Sequence, residues 1–180
     1  MLRRLDDAFA EPAWSPDGKR LAYTESVEGL RILDVRSGRV TVLSRGYDER
    51  ASWSPDGKQI AFAHDRTGNG DTAIWTMNAN GAQRRRLTNG DADHAPAWSP
   101  DGTRIAFERR YDVWLVDSDG GNERVAVGEA QAPTWAPDGT LLVSESRLRA
   151  GGLYALARGR SPRRIVPGTW PDACWAPGVM

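Results

Sequence analysis

The 180 residues carry 24 basic and 24 acidic side chains and no formal net charge, so no long-range field draws the chain toward nucleic acid or an anionic membrane. A single cysteine, Cys174, excludes an internal disulfide. No apolar run reaches the length of a membrane span, and no secretory signal is visible, which leaves the compartment open: cytoplasmic as it stands, periplasmic or envelope if trimmed from a longer precursor.

Internal self-similarity sets the elements, and they follow in chain order. Residues 2–5 read as a short basic strand, matching RRRL at 84–87. The first unit, 11–43, has a short strand ending at Trp14, a Ser-Pro-Asp-Gly turn, a strand carrying Leu21 and Tyr23, a third with Leu30 and Leu33, and a short fourth, VTVL. In the turn, Pro16 presets φ at the second position, Asp17 suits the third and Gly18 tolerates the exit geometry. The second unit, 50–88, repeats this with Trp53, Pro55, Asp56, Ile60/Phe62 and Ile74/Met77, then the turn NANG and RRRL. The third, 95–127, has Trp98, Pro100, Asp101, Ile105/Phe107 and Val113/Val116, then DSDGG and RVAV. The fourth, 132–166, has Trp135, Pro137, Asp138, Leu141/Val143 and Leu153/Leu156, then RRIV. An aromatic (Trp75, Trp114, Tyr154) stands mid-way along the third strand, with Arg31 in its place in the first unit. A last start, CWAPG with Trp175, makes 172–175 an innermost strand without its blade.

The tryptophans are 39, 45, 37 and 40 residues apart. A period near 40 with four short strands per unit is the signature of a β-propeller blade. The expected fold is all-β: four complete four-stranded blades plus rudimentary end strands of a fifth. Alternation of apolar residues along each second strand predicts a half-buried strand. The long 45-residue step comes from HDRTGNGD, 64–71. His64, Asp65, Asn69 and Asp71 lack EF-hand spacing or a paired-histidine pattern, so the segment reads as a solvated Gly-rich loop. No metal site or cofactor is expected.

WSPDG, a Lys/Thr-x-Ile-Ala-Phe strand, Ile-Trp-x-Met and an Arg-Arg-Leu-Thr strand together resemble the TolB β-propeller repeat over essentially the whole chain. The resemblance implies a propeller, usually of six blades, that binds protein partners at the cell envelope. Repeats of this type also occur in the gating propellers of prolyl-oligopeptidase-like enzymes, but no Gly-x-Ser-x-Gly elbow is present here. Four units depart from six, and no counterpart of TolB's N-terminal domain is expected within these 180 residues. Four units and two lone strands do not complete five sheets, so self-association is expected, with Trp14 or Trp135 among the residues an open flank uncovers.

Asp17, Asp56, Asp101 and Asp138 recur identically and therefore serve turns; the tryptophans are expected to wedge between blades. Arg3-Arg4, Arg84-Arg85-Arg86 and Arg163-Arg164 fall on outermost strands, where charge blocks edge pairing; with zero net charge no nucleic-acid partner is expected. The two histidines, His64 and His94, pair with no Ser or Cys in sequence, and no catalytic residue is assigned. Function is expected on the rim where connectors enter each innermost strand: Glu11, Asp48, Glu49, Arg50, Asp93, His94, Gln131 and Asp172. The partner expected there is a protein or peptide. The alternatives are a detached gating propeller of a peptidase, or a structural fragment without its own activity.

Overall fold

A computed structural model describes residues 12–25, 29–145, 152–157 and 159–167. The lone strands expected at 2–5 and 172–175, with Glu11, Asp172 and Trp175, lie outside the described residues. Four antiparallel four-stranded sheets account for the strands among them, each in simple up-and-down order. Blade 1 comprises β1 (Ala13–Trp14), β2 (Arg20–Glu25), β3 (Gly29–Asp34) and β4 (Val40–Val42). Blade 2 comprises β5 (Tyr47–Trp53), β6 (Gln59–Asp65), β7 (Thr72–Asn78) and β8 (Arg85–Arg86). Blade 3 comprises β9 (Asp93–Trp98), β10 (Arg104–Arg109), β11 (Asp112–Asp117) and β12 (Arg124–Val127). Blade 4 comprises β13 (Ala130–Trp135), β14 (Leu141–Glu145), β15 (Gly152–Leu156) and β16 (Arg163–Pro167).

The repeated turn is built by side chains as well as by proline and glycine. In blade 2, Ser54 Oγ donates to Asp56 Oδ1 at 2.6 Å and accepts the Gln59 amide at 2.9 Å. Asp56 also accepts the Lys58 amide at 3.0 Å. Blades 1 and 3 repeat the pattern with Ser15/Asp17 and Ser99/Asp101. The Ser99 hydroxyl, and then the Thr103 amide and hydroxyl, hold the Asp101 carboxyl down to about 2. Blade 4 has Ala136 where the serine stands, and Asp138 is held by Thr140 instead, accepting its amide at 2.8 Å.

Three seams join the described blades, and each sets a tryptophan-bearing face of one blade against an alanine-bearing aliphatic face of the preceding one. At the seam of blades 1 and 2, Trp53, Ile60, Phe62 and Met77 meet Ala22, Leu30 and Ile32. The next seam sets Trp98, Ile105, Phe107 and Val116 against Ala61, Ala63, Ile74 and Leu87. At the third, Trp135, Leu141, Val143 and Leu156 meet Ala106, Val113 and Leu115. The second strands are therefore not half-buried as the alternation suggested: Ile60, Ala61, Phe62 and Ala63 are all fully buried. The intervening alanines are small because the neighbouring blade's aromatics lie on them.

The tryptophans are not equivalent. Trp53 and Trp98 are buried, Trp135 is half-buried, and Trp14 is 59% exposed, so Trp14 is the one that does not wedge between described blades. Trp53 and Trp135 each donate their indole N–H across the seam at 3.0 Å, to the carbonyls of Ala13 and Ala97. Arg20 and Arg104 lie over these two rings at 4.6 and 5.3 Å. At the middle seam Gln59 takes the arginine's place, the Trp98 indole N–H has no partner among the described residues, and Ser52 Oγ accepts the Trp98 amide at 3.2 Å instead.

Candidate functional site

The start of each innermost strand and the loop between its blade's second and third strands share one face, called here the upper rim. β5, β9 and β13 carry a one-residue bulge near their starts, marked by Arg50, Ala95 and Ala132 at φ of 49°, 49° and 51°. A non-glycine residue in this region is strained and recurs only where its surroundings hold it. The bulge shifts the alternation by one, so the innermost strands run on past the boundaries read from sequence, to Tyr47, Asp93 and Ala130.

The extra length puts Asp48 and Asp93 in the interior, with side chains that have no exposed area. Each is the centre of a latch between blades. Ser44, at the end of blade 1, accepts the Leu30 amide at 3.2 Å and donates its hydroxyl to Asp48. Thr88, at the end of blade 2, accepts the Ile74 amide at 2.9 Å and donates to Asp93. These two carboxylates, expected on the rim surface, are thus occupied internally, because a buried charge needs partners on every side.

The cation that completes each latch comes from a different place. In blade 2, Arg84 Nη2 reaches Asp48 at 3.0 Å from the approach to the fourth strand, and His64 Nδ1 lies 2.7 Å from the same oxygen. In blade 3, Arg109, at the position of His64, grips both oxygens of Asp93 at 2.5 and 2.9 Å, while Glu123, at the position of Arg84, ion-pairs with Arg109. The Asp93 hydrogen bonds, outweighing burial and helped by Glu123, raise the Arg109 pKa, so the guanidinium stays charged. In both blades the guanidinium rests on the same two rings: Arg84 over Trp75 and Phe62 at 5.3 and 5.1 Å, Arg109 over Trp114 and Phe107 at 4.5 and 5.3 Å.

Ser44, Asp48 and His64 come together although far apart in sequence, but the aspartate stands between the other two. A nucleophile needs the imidazole next to the hydroxyl; here both serve the carboxylate. The 64–71 loop closes on itself. Asp65 accepts the amides of Thr67, Gly68 and Gly70 at 2.9, 2.8 and 2.6 Å. Burial pushes its carboxyl up, yet those three amides outweigh it and the pKa is lowered. Asn69 bridges Thr67 and Asp71. With His64 turned to Asp48, the four potential ligands do not converge. Among the described residues, no group of three or more His, Cys, Asp or Glu side chains is placed to hold a metal ion.

What the upper rim exposes is different. Glu49 is 59% and His94 39% exposed, the two 3.8 Å apart, while Arg50 and Gln131 are half-buried. His94 Nε2 also meets Thr72 Oγ1 at 3.2 Å. Tyr47 and Tyr111, which the sequence reading passed over, are 46% and 70% exposed on this face. Arg110 and Asp91 pair beside Tyr111 at 3.8 Å. The signal that could have found the tyrosines was an aromatic in a connector, outside any alternating strand. The exposed set therefore centres on blades 2 and 3 and is carried by the latched frame beneath it.

The family model for the TolB beta propeller domain matches residues 3–178. The chain belongs to the TolB β-propeller family. TolB from Acinetobacter baumannii is similar at 24% identity and a TM-score of 0.78, over 92% of this chain and 45% of that one. A putative TolB from Agrobacterium tumefaciens is similar at 27% identity and a TM-score of 0.76, over 87% of this chain and 61% of that one. The chain thus spans about half the length of these relatives. The nidogen–laminin complex contains a chain of similar fold at 14% identity, with a TM-score of 0.72 over 93% of this chain and 66% of that one. The TolB-type repeat is a frame on which different sites are set, so the fold alone does not choose between binding and catalysis.

Proposed function

We propose that this TolB-type propeller is a non-catalytic scaffold that binds a protein or peptide through the upper rim of blades 2 and 3. The observation that carries this reading is the exposed set Tyr47, Glu49, His94, Arg110 and Tyr111, mixed aromatic and charged, on a buried Asp-centred frame. Tyrosine and arginine are the residues that anchor protein interfaces, because each offers a large area with a polar handle. The similar fold in the nidogen–laminin complex is itself part of a protein–protein assembly. Affinity purification from the source cells, compared between the wild type and a Glu49→Lys/Tyr111→Ser variant, tests the reading. A specific partner lost with that variant but retained by a lower-face variant, Asp138→Lys, supports it. Equal retention by all three overturns it.

The scaffold also self-associates in this reading. Trp14, in the first described blade, is 59% exposed, whereas Trp53, Trp98 and Trp135 each pack at a seam between described blades. A second copy of the chain is the proposed cover for Trp14.

A further inference from the structure

The first two seams are sealed at their lower outer edge by the turn between the third and fourth strands of the following blade. Gly81, at φ 85°, lies so close to Leu43 that a β-carbon there would stand 3.1 Å from its carbonyl oxygen. Gly120, at φ 93°, lies on Leu87 in the same way, with 3.4 Å left for a β-carbon. At the middle seam Arg85 completes the closure, donating to the carbonyls of Asp119 at 2.7 Å and Ser118 at 3.1 Å.

The third seam is built from the same positions but stays open. Both lower turns of blade 4 are one residue short. Leu141 faces Trp135 across its turn, six residues on, where Ile60 and Ile105 face their tryptophans from seven. Arg163 faces Ala155 from eight residues on, where Arg85 and Arg124 face their partners from nine. Among the described residues, Gly139 and Gly159 consequently have nothing within 4 Å of a β-carbon position. Arg124 stands in the register of Arg85 but, with no turn to grip, bends back to the Asn122 carbonyl at 3.0 Å. A groove of about 750 Å³ is left between blades 3 and 4, with Trp135 and Leu156 on its apolar side and Arg104, Arg124, Asp117 and Asp119 on its polar side.

We propose that this groove is a second binding site, and that it takes a tight glycine-containing turn of a partner protein in the space that blade 4's own shortened turn leaves unfilled. The other two seams define what these positions hold. At the middle seam two successive carbonyls meet the arginine, and at both seams a glycine at positive φ lies against the end of the preceding blade, close enough at the first that a β-carbon would crowd it. The carboxylates of Asp117 and Asp119 at the lip disfavour an acidic turn, so the neutral-to-basic sequence at 77–84 (MNANGAQR) is the better template than the acidic one at 117–121. The site is on the opposite face from the rim and does not depend on it.

The test is a titration of the isotopically labelled chain with a cyclic MNANGAQR peptide, followed by backbone amide NMR shifts. Shifts are expected around Arg124 and Trp135, with binding weakened at least tenfold by Arg124→Ala and at least threefold by Arg124→Lys, which keeps the charge but not the two-pronged donor. Arg163→Ala, in the same register one blade on, is expected to leave affinity within twofold of wild type. A peptide with valine for its glycine is expected to bind at least tenfold more weakly. No shifts at millimolar peptide, shifts confined to the upper rim, or an affinity indifferent to both Arg124 variants and to the valine peptide would each overturn the proposal.

Discussion

Trp98 and Arg85 lie on the same seam and illustrate opposite kinds of contribution. Trp98 is 8% exposed and packs among Ala61, Ala63 and Ile74, so Trp98→Ala leaves a large cavity and is expected to cost about 3–5 kcal/mol. Arg85 sits on an exposed edge strand, where sequence alone assigned it only to blocking unwanted pairing. Its two bonds to the carbonyls of blade 3 give Arg85→Ala an expected cost of about 1 kcal/mol. Urea denaturation midpoints check both, and equal shifts would show the burial difference to be irrelevant. At the same scale, Asp101 is held near a pKa of about 2 chiefly by the Ser99 hydroxyl. A depressed carboxyl stabilises the fold above its unfolded pKa, and that contribution disappears as pH falls through the folded value. The expected loss lies between about pH 4 and pH 2. Carboxyl carbon NMR should find Asp101 titrating at the acid end of that window, and Ser99→Ala should move it toward an ordinary aspartate. A normal titration in the wild type would refute the turn geometry.

At the scale of strands and turns, the two latches use one geometry with exchanged residues. Arg109→His alone removes the guanidinium from a buried aspartate and is expected to cost about 3 kcal/mol. Adding Glu123→Arg rebuilds the blade 2 pairing, in which His64 and Arg84 share Asp48, and is expected to recover at least half of that loss. Thermal denaturation of the single and double variants measures this; no recovery would mean that the two blades are not equivalent. This exchange also explains what sequence could and could not disclose. The turns, the third-strand aromatics and the tryptophan spacing were legible because they recur with the same residues at fixed intervals. The latch was hidden because its cation arrives from two different positions, so no column of the repeat is uniformly basic. Asp48 and Asp93 looked like variable rim groups, yet each stands five residues before its tryptophan, a regularity masked by bulges that invert the side-chain alternation. Burial of the alanines in β2, β6 and β10 was equally unreadable, since it is set by the neighbouring blade's aromatics.

Across the described blades, each seam covers the repeat tryptophan of the later blade, and Trp14, 59% exposed, is the proposed site of association. Burial of apolar area contributes roughly 25 cal/mol per Å², and exposed patches of this kind mark interfaces. Light scattering over a concentration series is expected to show a mass above 20 kDa that Trp14→Lys returns to the monomer value. A mass near 20 kDa at every concentration would rule self-association out. The upper rim is the surface for which the frame is proposed to exist, and photo-cross-linking examines it most directly. A photoreactive residue placed in turn at Tyr47, His94 and Tyr111, and at Asp17, Asp56 and Asp138 on the lower face, is expected to capture one common partner in the source cells from the first three positions only. Capture of that partner chiefly from the lower-face positions, or no partner from any rim position, would contradict the account.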